Sequence, residues 1–259
     1  LHMGRRFRVH SVEYVLRHLC HCIDRFGIRT FHFEDDNISL NRERFETILD
    51  GIIAERMNIR WDTPNGTRVD TLDSDLLKKI VRSGCRQLTL AFESGSQRVL
   101  DEVIRKKTSL ANMIRVAEMC GRMKIVTNAF FVIGFPGETV AEMRQTTSLA
   151  LDLLRRCEIL PNLFVATPLY GTVLYDTCIE KGYIQGNPSP EDLAKSTQIF
   201  GEPLISTDTF TPDDVRDVLR DYRASLKREL ALFSLKHPLY AARRIRDKMS
   251  VVKKLLFGK

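Results

Sequence analysis

The 259-residue sequence contains no run of about eighteen apolar residues and no basic leader ahead of a hydrophobic stretch. Neither a membrane-spanning helix nor a secretory signal is visible, so we expect a cytoplasmic protein. Internal repeats and low-complexity tracts are missing as well, which argues against a repeat architecture. Apolar residues make up 43% and charged residues 28% of the chain, as is usual for one large globular domain with or without an appendage.

Cysteine pairs with the C-x-x-C spacing of metal and redox sites are also lacking. The chain has six cysteines and no C-x-x-C spacing, and only Cys20 and Cys22 are near neighbours. Two residues apart on a helix, their side chains point about 200° away from each other, so they cannot easily bind one metal ion. We therefore expect reduced and mostly buried thiols.

Basic residues are concentrated at one end of the chain. The net charge is +7, and the segment 237–259 holds seven basic residues against one acid. A solvated outer helix face is the favoured interpretation of this tail. A membrane surface with anionic headgroups is an alternative partner, and nucleic acid is the less favoured one.

Hydrophobic spacing and capping residues predict five helices, each followed by a strand. Five such pairs in strict alternation indicate a parallel sheet with right-handed crossovers, and therefore an α/β fold. Beyond residue 183, a segment rich in Gly, Pro and Ser leads to helices without a clear further strand. The predicted helices begin near Ser11, Asn41, Asp73, Leu110 and Val140, and the predicted strands cover residues 28–33, 59–61, 87–92, 126–133 and 162–166.

Polar segments follow every predicted strand. In chain order they read EDDN, TPNGTRVD, ESGS, GFPGET and TPLYGT. Because the carboxyl ends of parallel strands meet at one edge of a sheet, these segments should form a single ligand-binding mouth.

The first polar segment holds three successive acids, Glu34, Asp35 and Asp36. Adjacent carboxylates repel each other, so solvent, hydrogen-bond donors or a bound cation must offset that repulsion. In an alternative interpretation, Asp36 or Ser39 caps the helix that starts near Asn41, and the other acids are solvated.

The order and spacing of six segments carry a family resemblance. RVHSVEYVLRHL, FHFEDDNISL, RVDTLDSDLLKKIVRSGC, LAFESGSQRVLDEVIRK, FFVIGFPGET and PLYGTVLYD resemble the radical S-adenosylmethionine superfamily, particularly members with an upstream cobalamin-binding domain. The resemblance implies a partial (β/α)6 TIM-like barrel over residues 1–183, truncated at its N-terminus, and a C-terminal helical extension over 184–259. It also implies S-adenosylmethionine held against a 4Fe-4S cluster, and a cobalamin domain outside this chain.

The resemblance further implies roles for individual residues around S-adenosylmethionine. The acids Glu34, Asp35 and Asp36 lie where the family holds the ammonium group of the ligand. The ribose and methionine segment is represented by Glu93, Ser94, Gly95 and Ser96, and the adenine-contacting strand by Asn128, Ile133 and Gly134. Thr167 closes the mouth on the last strand, and substrate contacts are assigned to Asn65 and Tyr170. No catalytic residue or metal ligand is assigned.

Several of these positions keep a structural alternative. The ESGS segment could be a strand-to-helix turn with a serine N-cap. Arg68 could grip the ligand carboxylate or an anionic substrate, or form a salt bridge with Asp70 or Asp73. Tyr170 could simply pack. We interpret Glu138 as part of the first turn of the helix that follows it, where a carboxylate meets the positive end of the helix dipole.

The departure from the family pattern concerns the cluster. The family binds its cluster through CxxxCxxC, and this triplet is absent here. We expect that the first strand and the cluster loop are either trimmed from this chain or lost by degeneration, and that the fragment does not cleave S-adenosylmethionine. The full-length protein would be an enzyme that cleaves S-adenosylmethionine reductively to a 5′-deoxyadenosyl radical and acts on a small-molecule substrate, with an electron donor such as flavodoxin or ferredoxin. With a cobalamin domain, methyl transfer or a rearrangement is the expected outcome.

Two other classes of function stay open. One is a non-catalytic barrel that has lost the cluster and acts as a binding module. The other is an α/β enzyme whose clustered carboxylates hold Mg²⁺ or Mn²⁺.

Overall fold

The computed structural model describes residues 8–184 and 186–237. These residues form helices that alternate with parallel strands, as the sequence predicts. The helices are α1 (Val12–Phe26), α2 (Arg42–Ala54), α3 (Ser74–Arg82), α4 (Leu110–Arg122), α5 (Val140–Cys157), α6 (Val173–Glu180), α7 (Pro190–Ser196) and α8 (Pro212–Lys236). The strands are β1 (Thr30–His32), β2 (Arg60–Asp62), β3 (Thr67–Arg68), β4 (Cys85–Glu93), β5 (Thr127–Ile133) and β6 (Leu160–Val165).

Side-chain caps start the helices that alternate with the strands. Ser11, Asn41, Asp73, Ser109 and Thr139 each accept a hydrogen bond from a backbone N–H in the first turn of α1 to α5. Such caps satisfy N–H groups that have no partner within the helix. The predicted starts of these helices are therefore confirmed to within a residue or two.

All strand pairs in the sheet are parallel, in the order β1-β2-β4-β5-β6. The sequence did not predict β3, whose two residues pair with β4 at Leu90 and Ala91. β2 pairs with the start of β4, and β3 pairs with its end. The loop 63–66 therefore separates two short strands that lie along β4. A two-residue strand is too short to show a hydrophobic period.

The two faces of the sheet differ in burial. On β5, buried residues alternate with the half-buried Asn128, Phe130 and Val132, and β6 repeats this pattern. Helix α5 packs against β5 and β6. Parallel sheets are normally covered on both faces. In the described residues, the second face of this sheet is only partly covered, as expected of a barrel that is not closed.

The core lies between the sheet and the helices. Trp61 of β2 is fully buried and contacts the rings of Phe33 and Phe45 edge-on. Its indole N–H donates to both the carbonyl and the hydroxyl oxygen of Ser83, at 3.2 and 3.1 Å. The one tryptophan of the chain thereby joins β2, α2 and the end of α3.

Two compact units make up the structure, one reaching to Leu219 and the other starting at Arg220. The division at residue 183 into a barrel and a helical extension stays a prediction.

Among residues 8–184 and 186–237, no helix is long and apolar enough to cross a membrane. The basic tail predicted from the sequence lies outside the described residues, apart from His237.

Gly84 permits the close approach of two strands. It has φ 98°, and a Cβ atom added there would lie 2.1 Å from the carbonyl oxygen of Ile59. Its own carbonyl oxygen accepts a hydrogen bond from Trp61 N. Glycine is therefore required both for the backbone conformation and for the space.

We predict that Gly84→Ala lowers the free energy of unfolding by roughly 2 kcal/mol or more, because strain and a backbone clash add together. Gly27→Ala is the matched control, since Gly27 also has a positive φ of 67° but no atom of the described residues lies within 4 Å of an added Cβ. The control should cost only about 1 kcal/mol. Equal losses for both variants in denaturant titrations would contradict the packing role of Gly84.

Candidate functional site

The loop after β1 carries the three predicted acids. Glu34 accepts hydrogen bonds from Asn65 Nδ2 at its backbone oxygen, 3.0 Å away, and at Oε2, 3.2 Å away. Asp35 and Asp36 are exposed. The structure therefore joins the acidic loop to the loop between β2 and β3 through one amide side chain.

The alternative helix cap for this segment is wrong. Asn41 caps α2, with its side-chain oxygen 3.0 Å from Arg44 N. Ser39 instead contacts Asn37 Oδ1 and, at 2.5 Å, Thr71 Oγ1. The capping of α2 therefore gives no role to Asp35 and Asp36, the two acids after Glu34.

Arg68 lies at the end of β3 and is already engaged. Its guanidinium donates to both carboxylate oxygens of Asp70, at 3.0 and 2.6 Å. Hydrogen bonding to Arg68 and its positive charge lower the pKa of Asp70 despite the opposing effect of burial. Arg68 Nη2 also lies 3.3 Å from the backbone oxygen of Lys106. Of the two salt bridges considered for Arg68, the one to Asp70 forms.

Glu93 is the last residue of β4 and adopts a positive φ of 68°. Its Oε1 accepts a hydrogen bond from Lys106 Nζ, 3.1 Å away. Lys106 Nζ also donates to the backbone oxygen of Ala91, at 2.6 Å. Arg68, Lys106 and Glu93 consequently form a continuous chain of contacts at the carboxyl edge of β3 and β4.

The turn after Glu93 faces helix α5. Ser94 is fully buried, and its Oγ lies 3.2 Å from Thr146 Oγ1. Gly95 N donates to the same hydroxyl, and a Cβ at Gly95 would lie 2.7 Å from Thr146 Cα. Ser96 Oγ donates to Glu142 Oε1, 3.1 Å away. These contacts show that the ESGS segment is a turn fixed on α5, whereas its contact with S-adenosylmethionine stays a prediction.

Arg98 strengthens the same attachment. Its guanidinium donates to both carboxylate oxygens of Glu142, at 2.8 and 2.6 Å. Glu142 also completes a capping box with Thr139. The hydrogen bonds from Arg98, and those from Thr139 and Ser96, lower the pKa of Glu142 to about 2. This carboxylate is therefore ionised at every physiological pH and ties the turn to α5.

Glu138 does not lie in the first turn of α5, so the interpretation made from the sequence was wrong. It precedes the cap Thr139 and folds back, so that its Oε2 accepts from Gly134 N and Phe135 N at 2.7 and 3.1 Å. The side chain is fully buried, and Oε1 has no hydrogen-bond partner among the described residues. Burial, opposed by the two backbone hydrogen bonds, raises the pKa of Glu138 to about 7.

The backbone assigned to adenine is partly occupied. Ile133 O accepts from Ala166 N at 2.8 Å, and Gly134 N is bound by Glu138. Asn128 lies on the half-buried face of β5, near the strand start and not at its carboxyl end. The structure therefore brings Ile133 and Gly134 to the edge that carries Glu93 but leaves Asn128 several residues below it.

Thr167 and Tyr170 follow β6. Thr167 Oγ1 contacts Ser196 Oγ at 2.8 Å. The hydroxyl of half-exposed Tyr170 donates to Pro188 O, and its ring packs against Tyr175 at 5.0 Å. Both residues thus hold the segment after β6 against α7 and the loop before it.

A small apolar gap, too narrow to hold a water molecule, lies near the ends of β5 and β6. Its strand residues are on the buried, helix-covered face of the sheet, and not on the half-buried one. It is therefore a gap in the core and not a part of the mouth. The lining includes Ile133, Gly134, Val165, Ile205 and Phe210.

Comparison with known proteins identifies the family. The model of the Radical SAM superfamily matches residues 2–150, more than half of the chain. The chain belongs to the radical SAM superfamily.

Curated relatives include two methyltransferases. Cytidylyl-2-hydroxyethylphosphonate methyltransferase of Streptomyces wedmorensis is 30% identical over 192 residues, which is 72% of this chain and 35% of the relative. Bacteriochlorophyllide d C-12(1)-methyltransferase of Chlorobaculum tepidum is 25% identical over 176 residues, or 67% of this chain and 37% of the relative. The chain thus spans about a third of the length of these two relatives.

Solved structures of radical SAM enzymes show the same fold. The radical S-adenosylmethionine methyltransferase TsrM of Kitasatospora setae, with cobalamin and a [4Fe-4S] cluster bound, has a TM-score of 0.60 at 16% identity, covering 71% of this chain and 37% of that one. Coproporphyrinogen III oxidase of Escherichia coli has a TM-score of 0.51 at 13% identity, covering 84% and 46%. The predicted partial TIM-like barrel is confirmed.

The cysteines do not fit the cluster of the radical SAM family. Burial raises the pKa of the Cys85 and Cys120 thiols to about 12, and it also raises the pKa of Cys178. In the described part of the chain, no group of three or more His, Cys, Asp or Glu side chains is arranged to hold a metal ion. The same observation counts against a Mg²⁺ or Mn²⁺ site at the acidic loop.

Lys106 is the site residue that the sequence did not reveal. It lies in a basic stretch, RKK, which a sequence-based interpretation assigns to solvent. The chain turns back toward β4 at this point, and the turn leaves only 9% of the Lys106 side chain exposed. The sequence also did not reveal the polar pair of His32 Nδ1 and Asp62 Oδ1, 2.5 Å apart, because the pairing of β1 with β2 brings together residues that are distant in sequence.

We predict that Glu138 makes stability depend on pH. Its pKa in the folded protein, about 7, lies above the ordinary value of 4.5, so folding favours the protonated form. The corresponding stability is fully present below pH 4.5 and is lost as the pH rises through about 7. Glu138→Gln stays neutral throughout. The difference in unfolding free energy, wild type minus variant, should fall by roughly 3 kcal/mol over this range.

Denaturant titrations of both proteins at half-unit pH intervals measure this difference. The other titratable groups are common to both proteins and cancel, and the lowered pKa of Glu142 keeps that neighbour outside the range. A difference that stays constant from pH 4.5 to 7 would show that Glu138 is buried in its charged form.

Proposed function

We propose that this chain is the S-adenosylmethionine-binding core of a radical SAM enzyme. The reaction class is reductive cleavage of S-adenosylmethionine. Methyl transfer to a small-molecule substrate is the outcome that the methyltransferase relatives support. Cobalamin enters the proposal through TsrM, and a flavodoxin or ferredoxin would supply the electron.

The position of Glu93 carries the proposal. Its carboxylate stands at the end of β4, on the edge where parallel-stranded barrels bind ligands. Lys106 occupies Oε1, while Oε2 forms no hydrogen bond within the residues that the structure describes. A carboxylate can accept both hydroxyls of a ribose, so this oxygen suits the sugar of S-adenosylmethionine.

The acidic loop suits the cationic part of the same ligand. Asp35 and Asp36 are exposed beside Glu34, which Asn65 joins to the loop before β3. The ammonium and sulfonium groups of S-adenosylmethionine would relieve the repulsion among these acids. Arg68 is neutralised by Asp70, so in this arrangement it stabilises the edge and does not reach for the ligand carboxylate.

The part of the chain that the structure describes supplies no site for the cluster. Its cysteines are scattered; Cys120, Cys157 and Cys178 are buried, and burial raises the pKa of the Cys85 and Cys120 thiols. We infer that these 259 residues alone do not cleave S-adenosylmethionine and that the cluster ligands must come from outside them. The lack of such ligands is also the observation that favours the second candidate, a barrel that binds its ligand without catalysis.

Glu93→Gln should weaken S-adenosylmethionine binding to the intact protein roughly tenfold or more, because a neutral amide accepts the ribose hydroxyls less strongly. Glu118→Gln removes the same charge from α4, where Glu118 pairs with Arg156, and should leave affinity unchanged. Titration calorimetry measures both. If wild-type protein binds S-adenosylmethionine and Glu93→Gln binds it equally well, the assignment of Glu93 is wrong.

One assay distinguishes the two candidate functions, the radical SAM enzyme and the binding module. The intact protein is reconstituted with iron and sulfide without oxygen, reduced with dithionite and incubated with S-adenosylmethionine. Formation of 5′-deoxyadenosine supports the enzyme. Binding of S-adenosylmethionine without cluster absorbance or cleavage supports the binding module.

A further inference from the structure

We propose that Lys106 is a positioning residue that orients Glu93 toward the ribose hydroxyls of S-adenosylmethionine. This inference rests on the proposed function, since Glu93 must face the sugar for its orientation to matter. Lys106 itself would not touch the ligand. It would act by holding one carboxylate oxygen so that the other stays directed at the mouth.

The contacts of Lys106 define where the carboxylate of Glu93 can lie. Nζ donates to Ala91 O at 2.6 Å and to Glu93 Oε1 at 3.1 Å. The first contact fixes Nζ to the backbone of β4, two residues before Glu93. The second ties the carboxylate to that fixed point, which restricts the rotation of a flexible side chain.

Burial shows that this ammonium group is not a solvated surface charge. Only 9% of the Lys106 side chain is exposed, against 28% for Glu93. A buried lysine costs free energy unless hydrogen bonds and an opposite charge offset it. Ala91 O and Glu93 supply that compensation, so each partner needs the other in place.

The backbone of Lys106 is also held. Arg68 donates to Lys106 O at 3.3 Å, and Asp70 keeps the guanidinium of Arg68 in place through two hydrogen bonds. The neighbours Arg105 and Lys107 both have positive φ values, 59° and 50°. The chain therefore turns sharply on either side of Lys106 and sends its side chain back to β4.

The test combines variants of the lysine with a change in the ligand. Lys106→Met removes the ammonium group, and Lys106→Gln keeps a neutral donor in case the first variant folds poorly. Lys107→Met is the matched control, because it removes the same charge from the exposed next residue. Each intact protein is titrated calorimetrically with S-adenosylmethionine and with its analogue that lacks both ribose hydroxyls. Thermal melts check the fold.

We expect Lys106→Met and Lys106→Gln to lose roughly tenfold in affinity for S-adenosylmethionine, as for the loss of one charge-assisted hydrogen bond. Their affinity for the analogue without hydroxyls should match that of the wild type within about twofold. Lys106→Arg should restore most of the affinity for S-adenosylmethionine. Lys107→Met should bind both ligands as the wild type does.

Two results would overturn the inference in different ways. If the variants lose the same factor for both ligands, Lys106 supports only the local fold and does not orient Glu93 toward the ribose. If the wild type binds both ligands equally or binds neither, the ribose contact of Glu93 is wrong, and the proposed function fails together with this inference.

Discussion

The reversal of the chain directly after Glu93 is the constraint on which the candidate site depends. Glu93 leaves β4 with a positive φ, and the next three residues turn toward α5. Left-handed backbone at a non-glycine residue costs about 1 kcal/mol or more, so its surroundings must hold it. Here the holding contacts come from Thr146 and Glu142, far along the sequence. These contacts hold the turn that sets the backbone of Glu93, and Lys106 holds its carboxylate.

Two carboxylates of this region have opposite electrostatic roles. Glu142 is surrounded by donors, above all Arg98, and its pKa falls to about 2. Glu138 lies four residues earlier, is fully buried and has a pKa of about 7. One therefore acts as a permanent anion that joins the turn to α5, and the other closes the Gly134 turn with a carboxyl group whose ionisation is opposed by burial. Environment, and not residue type, separates them.

The incomplete covering of the sheet agrees with the family. A parallel sheet with one half-buried face is unusual for a closed α/β fold, but it is expected for a partial barrel whose interior holds ligands. Polar and aromatic residues such as Asn128, Asn162 and Phe130 lie on that face. The helix-covered face is instead filled by apolar side chains, and the gap near the ends of β5 and β6 is too narrow for a water molecule.

The sequence by itself determined the first five helices and the parallel direction of the strands, because the helices follow from local hydrophobic spacing and their strict alternation with strands requires parallel crossovers. It also placed Glu34, Glu93 and Gly134 at one edge, since parallel strands bring their ends together. The tertiary structure alone decided the contacts between distant segments. The burial of Lys106, the attachment of the ESGS turn to α5 and the two-residue β3 depend on neighbours far away in the chain, which no local pattern records.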